Sequence, residues 1–290
     1  MKQAMYYEKR EGGSVQCFLC PHNCVIKQDG AGICRVRKNI GGELYSLNYG
    51  KVTSIALDPV EKKPLYRFHP GKYILSAGTF GCNLKCSFCQ NWSISQGMSP
   101  DDERAVDITP GQLVKEALKH VRHGNIGIAY TYNEPSIWYE FVYETSMLAK
   151  KEGLANVLVT NGFISRKPLE ELLPFVDAMN IDVKSFNPSF YKEICKGSLE
   201  NVKETVEMAA AKCHVEVTTL VIPGFNDSVE EMDEIARWLA SVSPEIVLHL
   251  SRYFPRYKMN DRSPTPVRTL ENLRDEALKY LRHVYLGNVW

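Results

Sequence analysis

The chain has 290 residues, 44% of them hydrophobic and 24% charged, enough for one large core or two modest ones without outside staples. A formal net charge of +1 provides no bulk attraction to nucleic acid or to an anionic membrane, so neither is expected as a partner. No run of about 18 apolar residues occurs, and Met1 to Arg10 is polar rather than a charged start before an apolar stretch, so the expected location is cytoplasmic.

The opening stretch is rich in Gly, Cys and short polar turns, with a hairpin expected at Gly41-Gly42 and a strand at Lys51 to Leu57. It reads as a cysteine-rich N-terminal region, residues 1–71, ahead of a larger unit, residues 72–290. Cys17, Cys20, Cys24 and Cys34 offer four thiolates there, enough for a closed zinc site or an accessory four-iron cluster. The spacing matches neither a standard zinc ribbon nor the ferredoxin run, so zinc and iron both stay open; His22 and His69 are weaker substitute ligands.

From Lys72 onward, short β-rich runs alternate with amphipathic helices, as in parallel βα units. Strands are expected at Tyr73 to Thr79, Ile126 to Tyr132, Ala155 to Thr160, Ala178 to Val183, Val215 to Ile222 and Ile246 to Leu250. Thr109-Pro110 and Ser228 mark helix starts, and a last helix, Leu270 to Arg282, leads to a short strand at Val284 to Leu286. Six consecutive units bury both strand faces by curling, which predicts an α/β fold built as a partial parallel (β/α)6 barrel, TIM-like, with chemistry at the C-terminal strand ends.

Directly after the first of these strands stands Cys82-Asn83-Leu84-Lys85-Cys86-Ser87-Phe88-Cys89. Three thiolates bind three irons of a cubane cluster and leave the fourth iron open to a small-molecule ligand. The competing readings are a three-cysteine zinc site and a ferredoxin-like carrier, both of which ordinarily use four protein ligands. Cys195 and Cys213, in helix and strand-entry positions, read as buried or incidental thiols.

This C-x3-C-x2-C loop followed by six βα units resembles the radical S-adenosylmethionine (SAM) superfamily, which makes residues 72–290 a radical SAM core with a C-terminal extension. The resemblance implies a [4Fe-4S] cluster that cleaves SAM reductively to a 5′-deoxyadenosyl radical for hydrogen abstraction. It implies an external electron donor and puts Phe88 against adenine. It also maps Asn133, Glu134 and Pro135, at the second strand end, onto the segment that receives the SAM amino group. Thr160 and Asn161, before Gly162, and the pair Asp182 and Lys184 fall beside the SAM site on the same grounds. Bare physics allows blander roles: Glu134 as a helix start, Asn161-Gly162 as a turn, and Asp182 with Lys184 as a structural ion pair.

Cys-Phe-Leu-Cys-Pro-His-Asn-Cys, Gly-Ile-Cys-Arg-Val-Arg, Glu61 to Tyr66, the Cys82 loop, Thr-Tyr-Asn-Glu-Pro, His-Leu-Ser-Arg-Tyr-Phe-Pro and the final Val-Tyr-Leu-Gly-Asn together resemble the AmmeMemoRadiSam system radical SAM enzyme. That family is akin to pyruvate formate-lyase activating enzymes, which implies a protein substrate or a partner of the same system. Two departures separate this chain from glycyl radical activases. The Asp-Gly-Pro-Gly-x-Arg block is absent, and Val159 stands where an Asp is usual. Glycyl radical activation and a non-catalytic iron–sulfur electron-transfer or binding role are the alternative functions. The aromatic and basic segment Ser251 to Met259 reads either as a substrate gate or as a solvated rim.

Overall fold

The structure is a computed structural model, and it describes residues 1–289. One sheet of eight strands dominates: β1 (Ser54–Pro59), β2 (Tyr73–Gly78), β3 (Asn125–Tyr130), β4 (Ala155–Thr160), β5 (Ala178–Asp182), β6 (His214–Val221), β7 (Val247–Arg252) and β8 (Val284–Gly287). Its spatial order is the chain order, every pair from β2 to β8 is parallel, and β1 alone runs antiparallel, against β2. Helices α1 (Pro110–Lys119), α2 (Tyr139–Lys151), α3 (Arg166–Leu172), α4 (Leu199–Ala210), α5 (Val229–Val242) and α6 (Val267–Ala277) follow β2 to β7 in turn. The six expected βα units are therefore present, curled into a barrel left open between β1 and β8.

The local signals act as chemistry requires. Thr109 caps α1 in a reciprocal capping box with Gln112, Pro110 begins the helix, and the Ser228 side chain accepts from Glu231 N at the start of α5. Gly41 and Gly42, at φ of +62° and +78°, form the two-residue turn joining Arg37–Ile40 to Glu43–Ser46, a conformation that favours glycine at both positions. The apolar faces of the helices, such as Leu113, Val114 and Ala117 of α1, pack on the outside of the sheet in the main core.

Three expectations shift. The strand read at Lys51 to Leu57 is split, Lys51–Val52 pairing with Val106–Asp107 and Ser54–Pro59 becoming β1. Residues 54–59, assigned in the sequence to the N-terminal region, thus hydrogen bond into the barrel sheet along β2. The last helix ends at Ala277 rather than Arg282, because the backbone tightens there: Tyr280 N and Leu281 N both turn back to Ala277 O.

The connection between β1 and β2 crosses the floor of the barrel. Val60 and Leu65 pack with Ile74, Ala129, Val157 and Ala178 in a small inner core, and Asn180 donates to Pro64 O. Glu216, fully buried on β6, accepts from Tyr66 N (2.9 Å) and Arg67 N (2.7 Å) and pairs with His214 and His249. Chemistry is thereby confined to the opposite end. No helix among the described residues is long and apolar enough to cross a membrane.

Candidate active site

At the C-terminal strand ends lies a cavity of about 260 Å³, lined by Cys82, Cys86 and Cys89 together with residues from β4, β5, β6 and β7 and from the loop after β3. Register explains the gathering. Asp182 pairs with Thr218 and Leu220 with Ser251 across adjacent parallel strands, so these lining residues stand side by side. The expected Phe88, Asn133, Glu134, Thr160, Asn161, Asp182 and Lys184 all line the same cavity, and so does Val159.

Glu134 takes the helix-start role considered for it and bonds the next strand end as well. Its side chain caps the helical turn begun by Pro135 through Ser136 N, and its carboxylate also accepts from Thr160 Oγ1 (2.6 Å) and Asn161 N (2.7 Å). The carboxylate is held from two sides by protein donors, two on Oε1 and one on Oε2, which leaves Oε2 with capacity for one more. Burial pushes this carboxyl above its ordinary range, although the donors of Asn161, Thr160 and Ser136 oppose the rise.

Asn133 lines the cavity, and its amide accepts from Thr79 N and donates to Gly81 O, tying the end of β3 to the approach of the cluster loop. Asn161 donates to Asn83 Oδ1 at 2.9 Å and to Cys82 Sγ at 3.6 Å, while Leu84 N lies 3.3 Å from the same sulfur. Two N–H groups aimed at one sulfur favour its thiolate form.

Lys184 bonds Asp182 at 2.8 Å and sits 6.0 Å from the Phe88 ring centre, which is buried beside Phe190. Burial works against the charge on Lys184, but Asp182 and the sulfurs of Cys86 and Cys195 outweigh it and hold the ammonium well above its ordinary range. Cys195, read as a buried or incidental thiol, is buried, and its carbonyl accepts from Lys85 N of the cluster loop at 2.8 Å, a contact no sequence spacing signals; the nearby Cys195 thiol and burial push the Cys86 thiol well up. Burial and then the Glu134 charge do the same for Cys82. Such thiols become thiolates when a metal takes the place of the proton.

The donor set fits a four-iron cluster with an open iron. It consists of three sulfurs on one loop, N–H groups directed at one of them, a buried carboxylate with a free lone pair, an aromatic face and a lysine–aspartate pair in a single cavity. Over its mouth lies Ser251 to Met259, held down by Lys258 N to Ser87 O and by the stacking of Tyr257 on Trp92 at 5.3 Å.

The N-terminal cysteines form a second group. Cys17, Cys20, Cys24 and Cys34 line one small chamber with His22 and Arg37. His22, considered as a ligand, instead bonds Asn83 O at 2.8 Å, and its ring stands edge-on to Phe163. His69 is exposed. Arg37 is 1% exposed and paired with the equally buried Glu140 at 2.5 Å, a contact that no local sequence pattern signals because 103 residues separate the two.

Residues 77–239 match the family model described as the radical SAM superfamily. Uncharacterized protein MJ0808 of Methanocaldococcus jannaschii is 45% identical over 292 residues, covering 100% of this chain and 86% of that one. The pyruvate formate-lyase 1-activating enzyme of Escherichia coli (strain K12) is 25% identical over 220 residues, 69% of this chain and 86% of that protein. Among solved structures, Streptococcus suis SuiB bound to S-adenosylmethionine superposes with a TM-score of 0.57 at 11% identity, over 74% of this chain and 51% of that one, a likeness of fold.

Proposed function

This chain belongs to the radical SAM superfamily, and from that premise we propose which residues serve its chemistry and that its substrate is a protein. The enzyme binds a [4Fe-4S] cluster and SAM; when bound and reduced, they supply cleavage of the sulfonium to methionine and a 5′-deoxyadenosyl radical that abstracts hydrogen.

Cys82, Cys86 and Cys89 hold three irons of that cluster. Asn161 and Leu84 N–H groups fix the charge and orientation of Cys82 sulfur. The free lone pair of Glu134 Oε2 receives an ammonium, a charge-assisted bond whose geometry Thr160 and Asn161 have already set. Phe88 offers a ring face to adenine, and Asp182 with Lys184 presents a paired charge to the ribose and carboxylate side. Asn133 lines the cavity beside Glu134 and fixes the approach of the cluster loop.

The observation that carries the reading is the meeting of the three cysteines, Glu134, Asn161, Asp182 and Lys184 in one cavity at the strand ends. The cluster and SAM occupy this cavity, so the substrate is met at its mouth, where the rim of Ser251 to Met259 offers a surface for the body of a macromolecule to rest on. Phe254 and Trp92 are exposed on that rim. The likeness to an activating enzyme supports the same reading, as do the motifs shared with the AmmeMemoRadiSam system, to which we assign the chain. An external one-electron donor and a cytoplasmic location complete the proposal. The alternative of glycyl radical activation is favoured by that same likeness and would appear as an organic radical on a glycyl radical enzyme after incubation with this protein.

The test uses the reconstituted enzyme with SAM and a strong reductant, supplied with either the protein or the small-molecule fraction of cells grown in deuterated medium. Deuterium entering 5′-deoxyadenosine from the protein fraction is expected. Deuterium arriving only from the small-molecule fraction would overturn the protein-substrate reading.

A further inference from the structure

The loop that carries Cys82, Cys86 and Cys89 has two sides. Cys82, Leu84, Cys86 and Phe88, at every second position, line the cavity at the strand ends, whereas Lys85 and Ser87 between them do not. On the outer side stand four cations from four segments of the chain, each tied to the loop. Lys85 belongs to the loop itself, and its ammonium donates to Gln96 Oε1 at 3.0 Å. Gln96 in turn donates to Leu84 O, while its own carbonyl and that of Ser95 accept from the guanidinium of Arg35. Lys196 sits between Cys195, whose carbonyl accepts from Lys85 N, and Gly197, where a Cβ would lie 2.6 Å from the Leu84 side chain. Lys258 donates its backbone N–H to Ser87 O at 3.0 Å.

Arg35, Lys196 and Lys258 are exposed, and Lys85 is half-buried. Among the described residues no carboxylate lies within 4.0 Å of any of the four charges, and Glu193, exposed three residues before Lys196, forms no ion pair with it. Like charges gathered this way without a counter-charge favour an anionic partner and speed its approach. A chain of net charge +1 has no bulk field to do so, which makes the attraction local to this face.

We propose that the outer face of the cluster loop is the docking surface for an acidic one-electron carrier protein, whose carboxylates meet Arg35, Lys85, Lys196 and Lys258; the carrier's role rests on the radical SAM reading for its acceptor. Position separates a carrier from a substrate. A substrate must bring a carbon to the cavity, and none of the four cations lines it. An electron has only to reach the irons, and Lys85 and Ser87 are the two residues that flank Cys86 in the chain. The docked carrier loses one electron and the cluster passes from the 2+ to the 1+ state, with no proton or atom transferred.

The probe is an acidic plant-type [2Fe-2S] ferredoxin, used with the anaerobically reconstituted full chain. Calorimetric binding of the oxidised ferredoxin should weaken about tenfold in Arg35→Gln/Lys85→Gln/Lys196→Gln at low salt, a difference that should vanish near about 0.5 M salt. Arg35→Lys/Lys85→Arg/Lys196→Arg, which keeps every charge, should bind as the wild type does. SAM cleavage driven by reduced ferredoxin should slow by a similar factor in the neutral variant. Its iron content should hold, as should cleavage driven by photoreduced deazariboflavin, an uncharged small reductant. Salt-independent or absent ferredoxin binding to the wild type, or equal affinities and ferredoxin-driven rates in the wild type and the neutral variant, would overturn the docking surface. Loss of deuterium transfer from the protein fraction under deazariboflavin would show that these cations hold substrate, and would overturn the carrier assignment. No SAM cleavage by the wild type with either reductant would overturn the catalytic reading instead, and weaker ferredoxin binding in the neutral variant would still uphold the surface.

Discussion

Replacing Glu216 with alanine removes the acceptor that fastens the barrel floor. Four donors converge on this fully buried carboxylate: Tyr66 N, Arg67 N, His214 Nε2 at 2.9 Å and His249 Nε2 at 2.6 Å. The substitution leaves two backbone N–H groups and the buried His249 imidazole without an acceptor, at roughly 1–3 kcal/mol each less what water entering the gap restores, so a loss of about 3–5 kcal/mol is expected. The pH dependence gives a second measure. Burial would raise the Glu216 carboxyl, but bonds from His214, His249 and the two amides overcome it and bring the group from 4.5 to about 2. A carboxyl depressed in the folded state stabilises fully above its unfolded value and loses that contribution as pH falls toward the folded one. About 3 kcal/mol should therefore disappear between roughly pH 5 and pH 2 in wild type and not in Glu216→Ala. Urea unfolding of both proteins across that range, compared at equal m-value, makes the measurement. A loss under about 1 kcal/mol at pH 7, or parallel acid profiles, would refute the reasoning.

Three further outcomes follow from the site. Glu134→Gln keeps the shape but loses the charge, so SAM binding, titrated by the cluster signal, should weaken by about 10- to 100-fold, the equivalent of a charge-assisted bond of about 1.5–3 kcal/mol; unchanged affinity would remove Glu134 from the ligand site. Asn161→Ala deletes an N–H directed at Cys82 sulfur, so the catalytic cluster's potential should become more negative in a redox titration while iron content holds. Arg37→Met strands the buried Glu140 charge and should cost about 3–5 kcal/mol in thermal or urea unfolding, with Arg37→Met/Glu140→Gln recovering much of it; strict additivity in that cycle would show the two side chains to be uncoupled.

Much of the core was legible because its signals are local. The strand Ala155–Thr160 coincides with its reading, since a short, mostly apolar run between turn residues marks it, buried at three successive positions as a strand covered on both faces is. Thr109-Pro110 and Ser228 mark helix starts through side-chain chemistry that acts within three residues. The cysteine loop is legible for the same reason, three ligands and their tight turn lying within eight consecutive positions. The last helix was read too long because its end depends on how the backbone turns after Ala277, not on the apolar period that continues past it.

What the sequence determined by itself is the set of chemical groups and the strand ends on which they ride: Asp182 closes β5, and Lys184 follows two residues later, within reach of it. Tertiary structure alone decided which of them meet and what each does. Glu134 and Asn161 come together across 27 residues, Arg37 and Glu140 across 103, and His22 reaches the catalytic loop across 61. Such pairs have no local signature, since the register of parallel strands and the docking of the N-terminal region bring them within bonding distance only after the barrel has curled. The same closure drew β1 into the sheet and gave Asn133 a bracing bond to Thr79 N.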